Sequence, residues 1–235
     1  MNVDEHLFTD DAALSTTLAD WLAVRLDDAI TRRGRAVLGV SGGRSPVPLF
    51  EALRGRALDW SRVIVTLVDE RCVPHDHADS NTALVRRHLL SGAAAAARFV
   101  DMVPRDIPVD ADPVPLAAAA STALRPLWPA DVVILGMGAD GHTASLFPGV
   151  DNFAAITDAA NPALCVPVLP IGAPHPRVSL SLAALAACRQ LVLQIAGPAK
   201  RAVYAQARDT ARADLPVSLV LAAAASPVAV WIGER

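Results

Sequence analysis

Apolar residues recur every fourth position at Leu14, Leu18, Leu22, Leu26 and Ile30, which is one face of a long helix. Thr9 offers it a cap, Asp10 and Asp11 suit its positive end, and Arg32 and Arg33 suit its negative end. Gly34 stops it. The period then changes. Residues 36–40, 63–68 and 131–135 are short, mostly apolar runs that read as buried strands. After the first, Ser45 fits a helix cap and Pro46 the first helical position, with the helix running through Leu53. After the second, Ser80 and Asn81 open a helix through Leu90. Further strands are predicted near residues 164–168, 178–182, 191–196 and 228–232. Residues 104–115 hold four prolines and read as a loop between strands of one sheet.

Strands alternating with helices predict an α/β fold, a mostly parallel sheet with helices on both faces. No internal repeat is visible. The segments rich in glycine, acids and histidine lie just after strands, which in such sheets is the ligand-binding edge.

Composition narrows the function. The chain has 235 residues, 53% hydrophobic and 19% charged, which is enough for a sizeable core and is not a disordered composition. Alanine runs at 93–97 and 222–225 inflate the apolar share, favour helix and carry no chemistry. A net charge of −3 gives no sign of a nucleic-acid or anionic-membrane partner, so an anionic substrate needs a local cluster of cations. Cys72, Cys165 and Cys188 are far apart and read as free thiols of a reducing cytosol. Residues 1–8 lack the apolar core of a signal peptide, and no run is long and apolar enough to span a bilayer. A cytoplasmic protein is expected.

Four segments carry candidate chemistry. Ser41, Gly42, Gly43 and Arg44 form a glycine-rich turn between a strand and a helix, where backbone N–H groups can cradle phosphate. The same stretch, with Gly39, matches the G-x-S-x-G elbow of serine hydrolases, although that elbow normally follows several strands. In Asp69-Glu70-Arg71, strand alternation would put Asp69 and Arg71 on one side. Gly136, Gly138 and Gly141 fit G-x-G-x-x-G, but Pro148-Gly149 follows too soon for the long helix of a dinucleotide site. What remains is Asp140 and His142 in a glycine loop, where a carboxylate can fix an imidazole's tautomer and raise its basicity. Arg177 and Lys200 are candidate cations for an anionic substrate. His75 and His77 with Asp76 and Asp79 invite a metal reading, but no third and fourth ligands are evident, and a solvated loop is the simpler account.

In this order, Ser41-Gly42-Gly43, Asp69-Glu70-Arg71 through Ser80-Asn81, residues 136–148, Arg177 and Gly197-x-x-Lys200 resemble the 6-phosphogluconolactonases of the wider glucosamine-6-phosphate deaminase-like superfamily. The resemblance implies one Rossmann-like domain over residues 1–235, no metal, no cofactor, and hydrolysis of 6-phospho-glucono-1,5-lactone in the pentose phosphate pathway. It implies that His142 is the water-activating base and Asp140 its support. Lys200, Arg177 and the turn from Ser41 to Arg44 would hold the phosphate. Asp69, Arg71 and Asn81 complete the expected substrate pocket, with Arg71 or backbone N–H groups stabilising the oxyanion and Asp69 or Glu70 as the next candidate bases. Arg44 and Cys72 depart from the family pattern, where a small hydroxyl residue and Trp are common. In a deaminase a Glu would stand five residues after the loop His; here that position is Phe147. A non-catalytic sugar-phosphate sensor is the rival of another class. The oligomeric state is open, a monomer included.

Overall fold

The structure is a computed structural model that describes residues 1–234. Along the chain run β1 (Val3–Phe8), α1 (Asp11–Arg33), β2 (Ala36–Val40), α2 (Val47–Leu53), β3 (Val63–Leu67), β4 (Asp69–Arg71), α3 (Asn81–His88), β5 (Arg98–Val100) and α4 (Pro113–Leu124). Then come β6 (Val132–Leu135), α5 (Phe153–Ile156), β7 (Cys165–Val168), β8 (Arg177–Leu180), α6 (Leu182–Ala186), β9 (Leu191–Ala196), α7 (Pro198–Ala207), α8 (Pro216–Ala223) and β10 (Val228–Gly233). Seven strands make one parallel sheet in the order β1-β10-β9-β6-β2-β3-β5. Every residue of β2, β3 and β6 is buried, which is why these runs are apolar without alternation. The leucine face of α1 packs into the same core, and each buried Leu there contributes roughly 1.5–3 kcal/mol. None of the described helices is long and apolar enough to cross a membrane.

The strand order creates the crevice. From β2 the chain moves outward through β3 and β5; from its neighbour β6 it moves the opposite way to β9 and β10. Connections that diverge from adjacent strands leave a gap at their carboxyl ends, and that is where the Ser41 turn and the Gly136 loop begin. A second sheet closes over this edge. It is antiparallel, in the order β4-β8-β7. Val68 links the two: its N–H donates to Val40 O (2.9 Å), and its carbonyl accepts from Leu180 N (2.8 Å).

Several local expectations are corrected. Residues 3–8 form an edge strand that sequence reading passes over, because three consecutive polar residues, Asp4, Glu5 and His6, break any apolar alternation. The cap of α1 is Asp10, not Thr9; its carboxylate accepts from Ala12 N (3.0 Å) and Ala13 N (3.3 Å). Helix α2 starts at Val47, and Ser45 makes no side-chain cap, because the chain is still turning there. The proline-rich loop ends earlier than expected. Pro113 and Pro115 sit in the first turn of α4, where a missing N–H costs nothing, and Asp112 caps Val114 N. The first alanine run is a short 3-10 turn, Gly92–Ala96, rather than an α-helix. All three cysteines are free and buried, and burial pushes the Cys72 and Cys165 thiols up to about 12.

Candidate active site

A cavity of about 280 Å³ opens at the crevice. It gathers Ser41, Gly42, Gly43, Asp69, Arg71, Asn81, His142, Arg177 and Lys200 from six separate stretches of chain.

The Ser41 hydroxyl is committed to the frame. It donates to Ile134 O (2.9 Å) and accepts from Gly136 N (3.2 Å), joining the end of β2 to the end of β6. This geometry weighs against the nucleophilic-elbow reading, which needs that oxygen free beside a base. Gly42 lies against the Asn81 amide, where any Cβ would overlap it. Gly43 has φ +88°, a conformation that favours glycine. Arg44 lines a neighbouring hollow that it shares with Asp11 and Lys200, while the cavity itself is lined by Lys200 and not by Arg44.

The alternation read in Asp69-Glu70-Arg71 holds, with Asp69 and Arg71 facing the cavity and Glu70 turned away. Glu70 is fully buried and accepts from Arg71 N (2.7 Å), Asn81 N (2.9 Å) and Thr82 N (2.7 Å), so it anchors the start of α3. Burial pushes its carboxyl up, and the backbone donors only partly pull it back. It is not an alternative base for the cavity. Asp69 accepts from Ser145 Oγ (2.6 Å) and lies 3.6 Å from Arg177 Nη1. Asn81 Nδ2 donates to Asp69 O (2.9 Å).

Arg71 and Arg177 stand directly opposite each other across the β4–β8 ladder. Like charges in that position repel. The Nε of each is buried without a hydrogen-bond partner. Burial holds the Arg177 guanidinium below its ordinary value, Asp69 pulls it up, and Arg71 adds to the lowering. Two guanidiniums therefore bring like charge to one side of the cavity. Lys200, the chain's only lysine, adds a point charge from the first turn of α7, after Gly197 at φ +86°.

Asp140 and His142 sit in the loop after β6. Asp140 Oδ1 lies 2.5 Å from His142 Nδ1 and also accepts from His142 N (3.3 Å). That contact puts the ring proton on Nδ1 and leaves Nε2 as the bare nitrogen. Nε2 has no hydrogen-bond partner among the described residues, and the ring lines the cavity. Asp140 stands behind the ring and does not itself line the cavity. Burial would raise its carboxyl, but the His142 charge and hydrogen bonds outweigh that and hold it below the usual range. Gly138 is required here, since a Cβ would strike both the imidazole and the Asp140 carboxylate. Thr143 Oγ1 fastens the loop to Gly136 O (2.7 Å), and Val217 N fastens it to Gly141 O (2.9 Å). Phe147 lies against the imidazole with ring centroids 4.2 Å apart, and the Arg177 guanidinium sits 5.1 Å from its centre on the same side of the site.

Sequence reasoning missed Ser145, Thr143 and Gln194. Gln194 carried a usable signal, a lone amide inside the apolar strand β9. Ser145 carried none, because its role depends on Asp69 from a distant strand.

The sequence matches the model of the family "Glucosamine-6-phosphate isomerases/6-phosphogluconolactonase" over residues 9–231. The chain belongs to this family. Among its relatives, a 6-phosphogluconolactonase of Pseudomonas putida is 47% identical over 85% of this chain and 81% of its own. One from Rhizobium meliloti is 42% identical over 98% and 99%. The crystal structure of a 6-phosphogluconolactonase from Shewanella baltica is 38% identical and superposes with a TM-score of 0.92, covering 98% of this chain and 97% of that one. A monomeric glucosamine-6-phosphate deaminase, 19% identical with a TM-score of 0.76, shares the fold. Of the departures from the family pattern, Cys72 is fully buried and does not line the cavity, and Arg44 faces the neighbouring hollow.

Proposed function

We propose that this chain hydrolyses 6-phospho-D-glucono-1,5-lactone to 6-phospho-D-gluconate, as a cytoplasmic enzyme of the oxidative pentose phosphate pathway, with His142 as general base. Family membership supports the activity. One observation carries the mechanism: an imidazole fixed through Nδ1 by Asp140 lines the same cavity as three cations, Arg71, Arg177 and Lys200.

In this reading Lys200, Arg177 and the N–H groups of the turn from Ser41 to Gly43 hold the phosphate. Asp69 and Asn81 shape the wall beside the sugar ring. Water attacks the lactone carbonyl while His142 Nε2 takes its proton. Negative charge grows on the carbonyl oxygen, and Arg71 is placed to meet it. The tetrahedral intermediate then expels the ring oxygen, and His142 returns the proton to it. A strained ester needs less acceleration than an amide. One positioned base, worth typically about 10²–10⁴-fold, together with orientation, suits the task.

Deaminase chemistry is disfavoured by Phe147. That ring packs on the imidazole, and a phenyl group cannot move a proton. The test is hydrolysis of freshly made lactone against its spontaneous rate, with ammonia release from glucosamine 6-phosphate measured beside it. Faster lactone loss without ammonia is expected. A lactone rate no higher than the spontaneous one would overturn the reading, and it would favour a non-catalytic sensor if the product still bound.

A further inference from the structure

We propose that His77, Asp79 and His175 form a binding site for a divalent transition-metal ion of the Zn²⁺ class, outside the catalytic cavity. Three loops meet here. His77 and Asp79 lie between β4 and α3, His175 just before β8, and Asp110 just before α4. One ligand atom from each of His77, Asp79 and His175 falls within 4.8 Å of the others. Asp79 Oδ2 is 3.2 Å from His175 Nε2 and 3.9 Å from His77 Nδ1. Ligands bound tetrahedrally at 2.0–2.1 Å are themselves about 3.3 Å apart. The Asp79–His175 pair already has that spacing; the two pairs that involve His77, all within 4.8 Å, close by movement of the half-buried His77 and exposed Asp79 side chains.

The nitrogens show what is missing. His175 Nδ1 is 2.6 Å from Asp110 Oδ1, so in the neutral ring the proton sits there and Nε2 is bare. That bare Nε2 then faces a carboxylate oxygen of Asp79, lone pair against lone pair. His77 Nδ1 accepts from Asp79 N (3.1 Å), so it too is unprotonated; it lies near the same Asp79 carboxylate and would exchange that backbone N–H for the ion. One bare imidazole nitrogen, a second whose lone pair is held only by a backbone N–H, and a carboxylate gather at one point, which a cation would satisfy.

The surroundings match such a site. A metal-bound histidine usually gives its other N–H to a carboxylate, which is what Asp110 receives from His175. Both residues of that pair hold left-handed backbone, φ +58° for Asp110 and +66° for His175, an uncommon state for residues other than glycine. Two imidazoles and one carboxylate, with a fourth position for water, suit Zn²⁺ and its neighbours rather than Ca²⁺ or Mg²⁺. His75 is not part of the set, since its ring turns to Val103 O and Asp101. The ion would brace the pocket from outside. Asp79 O accepts from an Arg71 guanidinium nitrogen, and His175 precedes Arg177 by one proline.

The test is titration of the chelator-treated full chain with Zn²⁺ near neutral pH, followed by calorimetry and thermal melting, with Co²⁺ as a spectroscopic substitute. One equivalent should bind, raise Tm, and with Co²⁺ give the visible bands of a four-coordinate site containing nitrogen ligands. His175→Ala and the near-isosteric Asp79→Asn should each weaken binding at least about tenfold, which is 1.4 kcal/mol. His142→Ala should leave it unchanged. The isosteric variant keeps the test valid if His175→Ala fails to fold. Absence of saturable binding would overturn the proposal and leave a proton as the bridging cation. Binding that His142→Ala removes and Asp79→Asn spares would also overturn it, by placing the ion on the catalytic pair.

Discussion

Two histidine–aspartate pairs in this molecule look alike at one nitrogen and differ at the other. His142 Nδ1 meets Asp140 at 2.5 Å, and His175 Nδ1 meets Asp110 at 2.6 Å. Each carboxylate fixes its ring's proton in the same way. Beyond the ring the surroundings diverge. His142 lines an open cavity with cations, while His175 Nε2 runs into a second carboxylate, Asp79. A base needs a free lone pair near a substrate; a ligand or a bridge needs a partner already in place. The His–Asp motif alone therefore does not define a catalytic base. What the distal nitrogen faces decides it.

The sharpest way to break this comparison is to remove each ring in turn. His142→Ala should lower kcat by about 10²–10⁴-fold, while 6-phosphogluconate still binds. His175→Ala, in folded protein, should leave kcat near that of the parent. The pH profile adds a sign. A neutral imidazole is required, so log kcat/KM should fall with unit slope on the acid side. Asp140 is held below the usual carboxylate range, so its own protonation is not the source of that fall. A depressed carboxyl contributes stability above its unfolded pKa and loses it as pH falls through the folded one, so the Asp140 contribution disappears only in stronger acid. If His142→Ala and His175→Ala reduce kcat equally, the division of roles is wrong.

The cations come next in size. Lys200→Ala and Arg177→Ala should each weaken 6-phosphogluconate binding by about 1.5–3 kcal/mol, read by calorimetry. Arg177→Lys is the finer probe. It keeps the charge beside Asp69 but loses the second arm of the fork, so partial recovery would separate charge from geometry. Unchanged affinity in both alanine variants would remove these residues from the anion site.

Much of this arrangement was legible because changes of period mark strand ends. The runs at 36–40, 63–68 and 131–135 end where Ser41, Asp69 and Gly136 begin, and the loops carrying function follow directly. The second sheet was not legible. β4 has only three residues, two of them acidic, and its partner β8 lies far along the chain, so no local pattern announces the pairing. The same holds for Glu70 and His175. A carboxylate that accepts three backbone N–H groups looks, in sequence, like any surface acid. His175 lies in a Pro/Gly loop whose contact with Asp79 exists only after folding.

Glu70 tests the contrast between structural and chemical carboxylates. Glu70→Gln should cost about 1.5–3 kcal/mol of stability, because an amide cannot accept from all its backbone donors and brings its own N–H groups to the same place. The loss should appear as a lowered Tm, with kcat of the folded fraction close to the parent value. Asp140→Asn should do the reverse, losing rate through the unfixed tautomer with only a small fall in Tm. A Glu70→Gln protein with full stability and no activity would return Glu70 to the list of bases.

The smallest effect is expected at Ser41, and it discriminates between two mechanisms. If the G-x-S-x-G match were a nucleophilic elbow, removing the hydroxyl would abolish turnover. The structure instead shows that oxygen tying the ends of β2 and β6 together, to Ile134 O at 2.9 Å and Gly136 N at 3.2 Å. Ser41→Ala leaves the backbone bond from Ser41 N to Ile134 O (3.1 Å) in place, so the turn keeps its course. It does leave Gly136 N and one lone pair of Ile134 O short of a partner, a cost of about 0.5–1.5 kcal/mol. That loss should lower Tm by a few degrees and let the Gly136 loop move, with kcat falling less than about tenfold. Substrate phosphate is met by backbone N–H groups in this reading, so KM should rise only modestly. A folded Ser41→Ala enzyme without turnover, together with an acyl-enzyme trapped on the parent, would replace the general-base mechanism with a covalent one.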